Sequence, residues 1–266
     1  METAGGSGHC PRIALLVQYD GAGFNGWQIQ NGGRTVQGDI EKAIRILTGA
    51  ESRLTAAGRT DSGVHALGQV AHFDCTSNIT LQRLCIGLSG ILERDVSVKN
   101  AYAVPRDFHA RYSAIAREYL YLIHNGRQRS PFMLNRAMWV HHPIDTEYLR
   151  AAVSHLVGEH DFASFCKKIS TDGGTVRRID SIGIERKEEL IIIKIRGNAF
   201  LHNMIRIIIG TLCDMHRRGD DPDRMREILA ERNRDRAGAT APPCGLYLGR
   251  VEYAPPLESF DSAFML

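Results

Sequence analysis

The sequence lacks the features that mark membrane and secreted proteins. No apolar run reaches the roughly 18 to 20 residues that a membrane-spanning helix needs. Residues 1–8 are small and polar, without the basic and apolar regions of a signal peptide. We therefore expect a cytoplasmic protein that makes no contact with a membrane, and a disordered tail over residues 1–10.

Cysteine is sparse, and its spacing argues against paired thiols. The chain has six cysteines and no Cys-x-x-Cys pair, so we expect reduced thiols without a disulfide framework or a structural zinc site. His155, His160 and Cys166 are the nearest approach to a metal-binding set, but their spacing fits no standard ligand pattern. The sequence predicts no bound metal.

The charges of the two signs nearly balance. A formal net charge of +3 does not by itself indicate a nucleic-acid partner. Arginines outnumber lysines several-fold, and the planar guanidinium binds phosphate and stacks on bases, although a GC-rich genome would give the same bias. The arginine clusters are candidate phosphate contacts, and each one alone is more commonly an ordinary solvated surface; they lie at residues 127–129, 177–178, 217–218 and 232–236.

A glycine-rich loop at residues 21–26 follows a predicted buried strand at 13–19 and spells G-x-G-x-x-G. A dinucleotide-binding fingerprint also needs a helix that begins at the last glycines. Here the helical pattern begins only at Thr35, which argues against a nucleotide-dependent oxidoreductase. Phe24 and Trp27 in this loop suit contact with RNA or with a partner subunit, and a small hydrophobic cluster is the alternative.

The apolar periodicity predicts an α+β fold. The first half reads strand, helix, strand, strand, helix, strand, which is the order of a split β-α-β module, and the second half repeats similar elements. No Pro/Ser-rich linker separates the halves, so we place the boundary near residues 104–131. We predict an N-terminal module at 11–110 with the catalytic loop, a C-terminal module at 111–255 and a variable tail at 256–266.

The most informative stretch is residues 57–66, Ala-Gly-Arg-Thr-Asp-Ser-Gly-Val-His-Ala. It places a carboxylate, a guanidinium, two hydroxyls and an imidazole around two glycines, which allow a tight loop. The positive charge of Arg59 favours the ionised form of Asp61. Such an aspartate can be a nucleophile, a base or half of an ordinary salt bridge, and the loop alone does not decide between these roles.

Residues 58–66 resemble the motif of tRNA pseudouridine synthases of the TruA type. Three further segments resemble the same family in the same order. They are Phe-His-Ala-Arg-Tyr-Ser-Ala at 108–114 with Arg-Glu-Tyr-Leu-Tyr-Leu-Ile at 117–123, Gly-Asn-Ala-Phe-Leu-His-Asn-Met-Ile-Arg at 197–206, and the closing segment at 237–248.

The resemblance implies four roles in a catalytic site. Asp61 is the catalytic nucleophile, and Arg206 pairs with it. Tyr119 stacks on the substrate base, and Arg59 holds the splayed nucleotide or fills its place. The residues alone favour a core tyrosine at position 119, and an isolated arginine beside an apolar helical stripe, such as Arg206, is usually a surface cation.

The strand predicted at 117–123 has two faces. Tyr119 and Tyr121 lie on one side with Arg117, and Leu120 and Leu122 lie on the other. We expect the leucine side to be the buried one and the tyrosine side to face the substrate.

The resemblance also implies a pseudouridine synthase fold, in which two ferredoxin-like α+β modules share a central, mostly antiparallel sheet flanked by helices. The implied reaction is isomerisation of uridine to pseudouridine at positions 38, 39 and 40 of the tRNA anticodon stem-loop. The base must first leave the stack, at a cost of a few kcal/mol. The implied enzyme needs no cofactor or metal and is a homodimer, with one tRNA spanning both subunits.

Several alternatives stay open at the level of the sequence. Attack by Asp61 on the base, attack on the ribose carbon and an initial role as a base all agree with the residues. A pseudouridine synthase with a different RNA target has the same motifs. A non-catalytic RNA-binding module needs only cations and stacking rings.

Overall fold

The computed structural model describes residues 11–167 and 174–264. The predicted disordered tail at 1–10 lies outside the described residues. The chain forms two compact units that are not continuous in sequence. Unit 1 consists of the described parts of residues 1–60, 66–115 and 251–266, and unit 2 consists of those of residues 61–65 and 116–250. The module boundaries at residues 110 and 255 stay predictions.

The first part of the chain alternates strands and helices in the predicted order. The elements are β1 (Arg12–Tyr19), α1 (Val36–Thr48), β2 (Thr55–Ala56), β3 (His65–Asp74), α2 (Leu81–Ile91) and β4 (Val96–Val104).

The remaining elements begin at residue 114. They are β5 (Ala114–His124), β6 (Met138–Trp139), α3 (Thr146–Ser154), β7 (Gly158–Asp161), β8 (Val176–Lys187), β9 (Leu190–Gly197), α4 (Met204–Arg218), α5 (Arg224–Glu231) and β10 (Leu246–Tyr253).

In unit 1, β1 pairs antiparallel with both β3 and β4, and β2 extends the pairing on β3. The apolar run predicted a strand buried on both faces, and the structure confirms this for one face only. Ile13, Leu15, Val17 and Tyr19 are buried, whereas Leu16 and Gln18 on the other face are half-buried. Helix α1 begins as predicted, since the Thr35 side chain accepts a hydrogen bond from the Gly38 amide. Gly49 ends the helix at φ 73°, a left-handed conformation that glycine adopts without strain.

The loop after β1 contains a hydrophobic cluster. Phe24 and Trp27 are each only 2% exposed, which agrees with the hydrophobic-cluster alternative and not with contact of these rings with RNA or a partner. The Arg34 guanidinium covers the Phe24 ring at 4.3 Å, and the Trp27 amide donates to the Thr60 carbonyl at 3.1 Å. These two contacts fix the loop against the protein.

In unit 2, β9 lies between β5 and β8, and β7 pairs with the other side of β8, all antiparallel. Strand β6 pairs parallel with β5, so the sheet is mixed. Alternate isoleucines of β9 and the apolar stripe of α4 meet in the main core of this unit. The predicted α+β class is confirmed, with five α-helices in the described part of the chain. No helix within residues 11–167 and 174–264 is long and apolar enough to cross a membrane.

Strand β5 buries the opposite side from the one predicted. Tyr121 is 0% exposed and lies in the core, whereas Leu120 and Leu122 are only half-buried. The Tyr121 hydroxyl donates to the Pro242 carbonyl at 2.8 Å. A tyrosine ring can be buried at little cost when its hydroxyl has a partner, and for this reason the leucine–tyrosine alternation misidentified the buried side.

Candidate active site

The loop Asp61–His65 belongs to unit 2 and is anchored there at its far end. Val64 is 2% exposed within the core of that unit, and the His65 ring stacks on Tyr247 at 4.5 Å. Gly63 has φ 77°, and a Cβ at this position would lie 3.0 Å from Pro243. The buried apolar end therefore fixes the backbone of the loop, while 33% of the Asp61 side chain stays exposed.

Arg206, in the first turn of α4, holds the carboxylate of Asp61. Its Nη1 lies 3.2 Å from Asp61 Oδ2, and 15% of the Arg206 side chain is exposed. The same Nη1 donates to Asn203 Oδ1 at 2.7 Å, and Nε donates to the Ala241 carbonyl at 2.8 Å. A guanidinium with several fixed acceptors loses little further freedom on pairing, so Arg206 sets the direction of the carboxylate.

The closing segment at 237–248 holds Arg206 in place. The Ala241 amide donates to the Arg206 carbonyl at 3.0 Å, so these two residues are joined twice. A Cβ on Gly210 would lie 1.7 Å from the Ala239 carbonyl oxygen, which shows that this segment lies directly on α4. The Gly238 amide also donates to Thr211 Oγ1 at 2.8 Å. This fourth family-like segment therefore positions the arginine.

Sequence reasoning did not identify His202 and Asn203 as site residues. His202 Nε2 lies 3.6 Å from Asp61 Oδ1, the oxygen that Arg206 does not bond, and half of the His202 side chain is exposed. Asn203 has φ 61°, a left-handed conformation that asparagine tolerates better than most residues. The sequence spacing could have indicated Asn203, because a residue three positions before Arg206 lies beside it on a helical turn.

Tyr119 on β5 lies in the same unit as Asp61. Its ring is half-buried and meets Phe200 edge-on, with ring centroids 5.2 Å apart. Burial raises the pKa of Tyr119 to about 12; the Arg117 guanidinium opposes this rise, and the negative charge of Asp61 adds to it. The phenol therefore stays neutral at physiological pH, close enough to Asp61 for the two to interact electrostatically.

Arg59 belongs to unit 1, and its side chain is exposed. The residues on either side of it are fixed. The Gly58 carbonyl accepts a hydrogen bond from Gln69 Nε2 at 2.8 Å, and Thr60 Oγ1 is bonded to the Tyr19 hydroxyl at 2.7 Å. The backbone of Arg59 is thus held while its guanidinium faces solvent.

The three residues considered as metal ligands have separate surroundings. His155 Nε2 lies 2.9 Å from Asp223 Oδ1, and His160 Nε2 lies 3.0 Å from the Val157 carbonyl. Cys166 is buried. Among the residues that the structure describes, no three His, Cys, Asp or Glu side chains are arranged to hold a metal ion.

Comparison with known proteins places this chain in one class. The model of a family described as tRNA pseudouridine synthase matches residues 15–113 and 152–254, which include Asp61 and Arg206. The tRNA pseudouridine synthase A of Methylococcus capsulatus is 44% identical over 242 residues, covering 91% of this chain and 89% of the relative. That of Halalkalibacterium halodurans is 44% identical over 240 residues, covering 90% and 91%.

Among solved structures, the crystal structure of the archaeal box H/ACA sRNP Nop10-Cbf5 complex contains a similar chain. It is 11% identical with a TM-score of 0.37, and the match covers 76% of this chain and 42% of that one. The sequence relatives are far closer, and they define a class of isomerases. The chain belongs to the tRNA pseudouridine synthase A family, and the resemblance seen in its four segments is confirmed.

Proposed function

We propose that this enzyme isomerises uridine to pseudouridine at positions 38, 39 and 40 of the tRNA anticodon stem-loop, with Asp61 as its nucleophile. The observation that carries the proposal is the pairing of Asp61 with Arg206. The arginine holds the carboxylate at Oδ2, while a third of the aspartate side chain stays exposed. A purely structural salt bridge has no need of the two further bonds, to Asn203 Oδ1 and the Ala241 carbonyl, that fix this guanidinium.

The two oxygens of Asp61 differ in their surroundings. Oδ2 lies 3.2 Å from Arg206 Nη1, and Oδ1 faces His202 at 3.6 Å, beyond hydrogen-bonding distance. Oδ1 is therefore the oxygen that is available to attack, since its lone pairs are not engaged by the arginine. Carboxylates form covalent intermediates of this kind in other enzymes.

The proposed reaction moves one bond and changes no oxidation state. Asp61 bonds covalently to the nucleotide, and the N1–C1′ glycosidic bond breaks. The base then turns in the site, and C5 bonds to C1′ as the bond to Asp61 breaks. C5 loses its proton and N1 takes up a proton, so Asp61 is regenerated as a carboxylate. The atoms balance without an added reactant, because uridine and pseudouridine are isomers.

Tyr119 stacks on the base that has left the helix. Stacking of a base on an aromatic ring is worth about 1 to 3 kcal/mol, which offsets part of the cost of flipping. Phe200 supports the ring from its edge at 5.2 Å. Because the pKa of Tyr119 is about 12, its hydroxyl can donate a hydrogen bond to the substrate but does not act as a base near neutral pH.

Arg59 holds the splayed nucleotide or fills the space that the base leaves. Its side chain is exposed and always charged, as contact with a phosphate or a base requires. The bonds of Gly58 and Thr60 keep the adjoining backbone in place. The guanidinium can therefore reach the RNA without rearrangement of the loop.

We also propose that two copies of the chain bind one tRNA in the cytoplasm. The family resemblance supports the dimer, and a second copy would double the modest charge of +3 on each chain. Neutralised phosphates release counterions, so a larger positive surface strengthens binding to tRNA.

The target position is tested with purified enzyme and three tRNA transcripts, each with uridine at only one of positions 38, 39 and 40. Chemical mapping of pseudouridine should show modification in all three transcripts and none in a transcript without these uridines. Modification outside the anticodon stem-loop would replace the proposed target with another RNA site. Mapping of tRNA from a deletion strain gives the same answer in the cell.

A further inference from the structure

The ring of Tyr112 in unit 1 is exposed although its backbone is held. Tyr112 is 75% exposed, whereas most large apolar groups gain from leaving water. It lies in the family-like segment at 108–114, which none of the proposed catalytic steps uses. We refer to Tyr112 with His109 and Arg111 as the Tyr112 platform.

His109 supports the Tyr112 ring. The two ring centroids are 4.4 Å apart with the planes tilted by 34°. His109 Nδ1 accepts hydrogen bonds from the backbone amides of Arg111 at 3.2 Å and Tyr112 at 3.3 Å. Burial lowers the pKa of His109, which agrees with a neutral ring whose Nδ1 is an acceptor.

Three hydrogen bonds hold the backbone on which the platform lies. Arg12 Nη1 donates to the Phe108 carbonyl at 2.9 Å. The Ala110 amide donates to His72 Nδ1 at 3.1 Å, and the Ala110 carbonyl accepts from the Tyr253 hydroxyl at 2.8 Å. The exposed ring is therefore presented by a fixed loop, and a ligand that stacks on it need not order it first.

The charge of the platform favours an anionic partner. The Arg111 guanidinium lies 5.5 Å from the centre of the Tyr112 ring. Arg12, which bonds the Phe108 carbonyl, also pairs with the Asp74 carboxylate through two bonds at 2.7 and 3.0 Å. A cation beside an exposed aromatic ring is the combination with which proteins bind single-stranded nucleic acid.

We propose that the Tyr112 platform is a second RNA-binding site, on which an unpaired base of the tRNA stacks while Arg111 contacts an adjacent phosphate. This inference rests on the proposed function, because it takes tRNA as the substrate. The stacked base differs from the uridine that is modified, since that uridine stacks on Tyr119. The platform therefore contributes to the affinity for tRNA and leaves the chemical step unchanged.

The test compares two substitutions at one position. Tyr112→Leu keeps an apolar side chain of moderate size but removes the aromatic face, and Tyr112→Phe keeps the face. We expect Tyr112→Leu to raise the Kd for a tRNA transcript about 5- to 100-fold and Tyr112→Phe to change it less than about 2-fold. The single-turnover rate at saturating tRNA should be unchanged in both variants.

A matched control is Phe132→Leu, because Phe132 is 84% exposed but, within residues 11–167 and 174–264, neither a cation nor another aromatic ring packs on it. Its Kd for tRNA should equal that of the parent. An equal loss in Phe132→Leu and Tyr112→Leu would overturn the proposal, as would an unchanged Kd in Tyr112→Leu. A change of oligomeric state with unchanged Kd would assign the ring to contact with a second copy of the chain instead.

Failure of this inference is distinct from failure of the proposed function. If the parent forms pseudouridine in tRNA and Tyr112→Leu binds equally well, only the Tyr112 platform is rejected. If the parent binds tRNA but forms no pseudouridine, the proposed function is rejected, and a weaker Tyr112→Leu still supports the platform. If the parent does not bind tRNA, both are rejected.

Discussion

Replacement of Arg206 by lysine should slow the chemical step while the fold survives. Arg206 makes three bonds that matter, with Asp61 Oδ2 at 3.2 Å, Asn203 Oδ1 at 2.7 Å and the Ala241 carbonyl at 2.8 Å. Lysine keeps the positive charge, but its ammonium is a single point on a flexible stem. It cannot bond Asp61 and Ala241 in the same geometry.

The size of the effect follows from the bond to the carboxylate. A hydrogen bond to a charged group contributes about 1.5 to 3 kcal/mol, and about 1.36 kcal/mol corresponds to a tenfold change in rate. We therefore expect Arg206→Lys to lower the single-turnover rate by about 10- to 150-fold. The lower part of this range applies if the lysine still reaches Asp61.

The assay is pseudouridine formation under single-turnover conditions at saturating tRNA, with the melting temperature measured on the same samples. Arg186→Lys is the matched control, because Arg186 Nη2 also bonds two acceptors in unit 2, Asn125 Oδ1 at 2.9 Å and the Ile144 carbonyl at 2.8 Å. Arg186→Lys should react at the parental rate. A parental rate in Arg206→Lys would refute the idea that the arginine positions Asp61.

Three further predictions concern other parts of the molecule. Tyr119→Phe should react faster than Tyr119→Ala because it keeps the stacking ring, and equal rates in both variants and the parent would exclude a stacking role. Burial, together with Arg12 and His109, lowers the pKa of His72 to about 4 from its ordinary 6.5. The folded protein favours the neutral ring, so the contribution of His72 to the free energy of unfolding is complete above pH 6.5 and is lost as the pH falls towards 4. We expect a loss on the order of 3 kcal/mol, measured by urea unfolding. An unchanged pH dependence in His72→Asn would contradict this. Gly210→Ala should cost about 2 kcal/mol or more, because its Cβ would lie 1.7 Å from the Ala239 carbonyl oxygen, whereas Gly183→Ala, with nothing within 4 Å, should unfold like the parent.

Local structure was predictable from the sequence where a local cause determines it. The apolar run of β1 forms a strand with one fully buried face, Thr35 caps the start of α1 with its hydroxyl, and Gly49 ends the helix in a left-handed conformation. The motif at 58–66 indicated Asp61, and the resemblance supplied Arg206. These two residues lie 145 positions apart in the sequence, and no periodicity relates them.

The errors arose where tertiary contacts decide burial. Tyr121 can be buried in the core because its hydroxyl donates a hydrogen bond to the Pro242 carbonyl, which comes from a distant segment. The Arg34 guanidinium covers the Phe24 ring, and the Trp27 backbone amide bonds the Thr60 carbonyl. A strand or loop pattern gives the residues that share a face, but it does not show what covers that face.

Tertiary contacts also explain why the two units are not continuous in sequence. Val64 enters the core of unit 2, so the loop from Asp61 belongs to that unit although the chain on both sides of it belongs to unit 1. The Tyr253 hydroxyl bonds the Ala110 carbonyl, which ties the end of the chain to unit 1. Such long-range pairings leave no signal in the local sequence pattern.

The central claim, that the Asp61 carboxylate performs the chemistry, is tested most directly with Asp61→Asn and tRNA labelled with tritium at C5 of uridine. We predict no tritium release in a single turnover, with a Kd for tRNA within about 2-fold of the parent. Asp180→Asn is the control, because Asp180 also pairs with arginines, at 2.7 Å from Arg178 and 2.5 Å from Arg196, and it should release tritium at the parental rate. Tritium release by Asp61→Asn would contradict the claim.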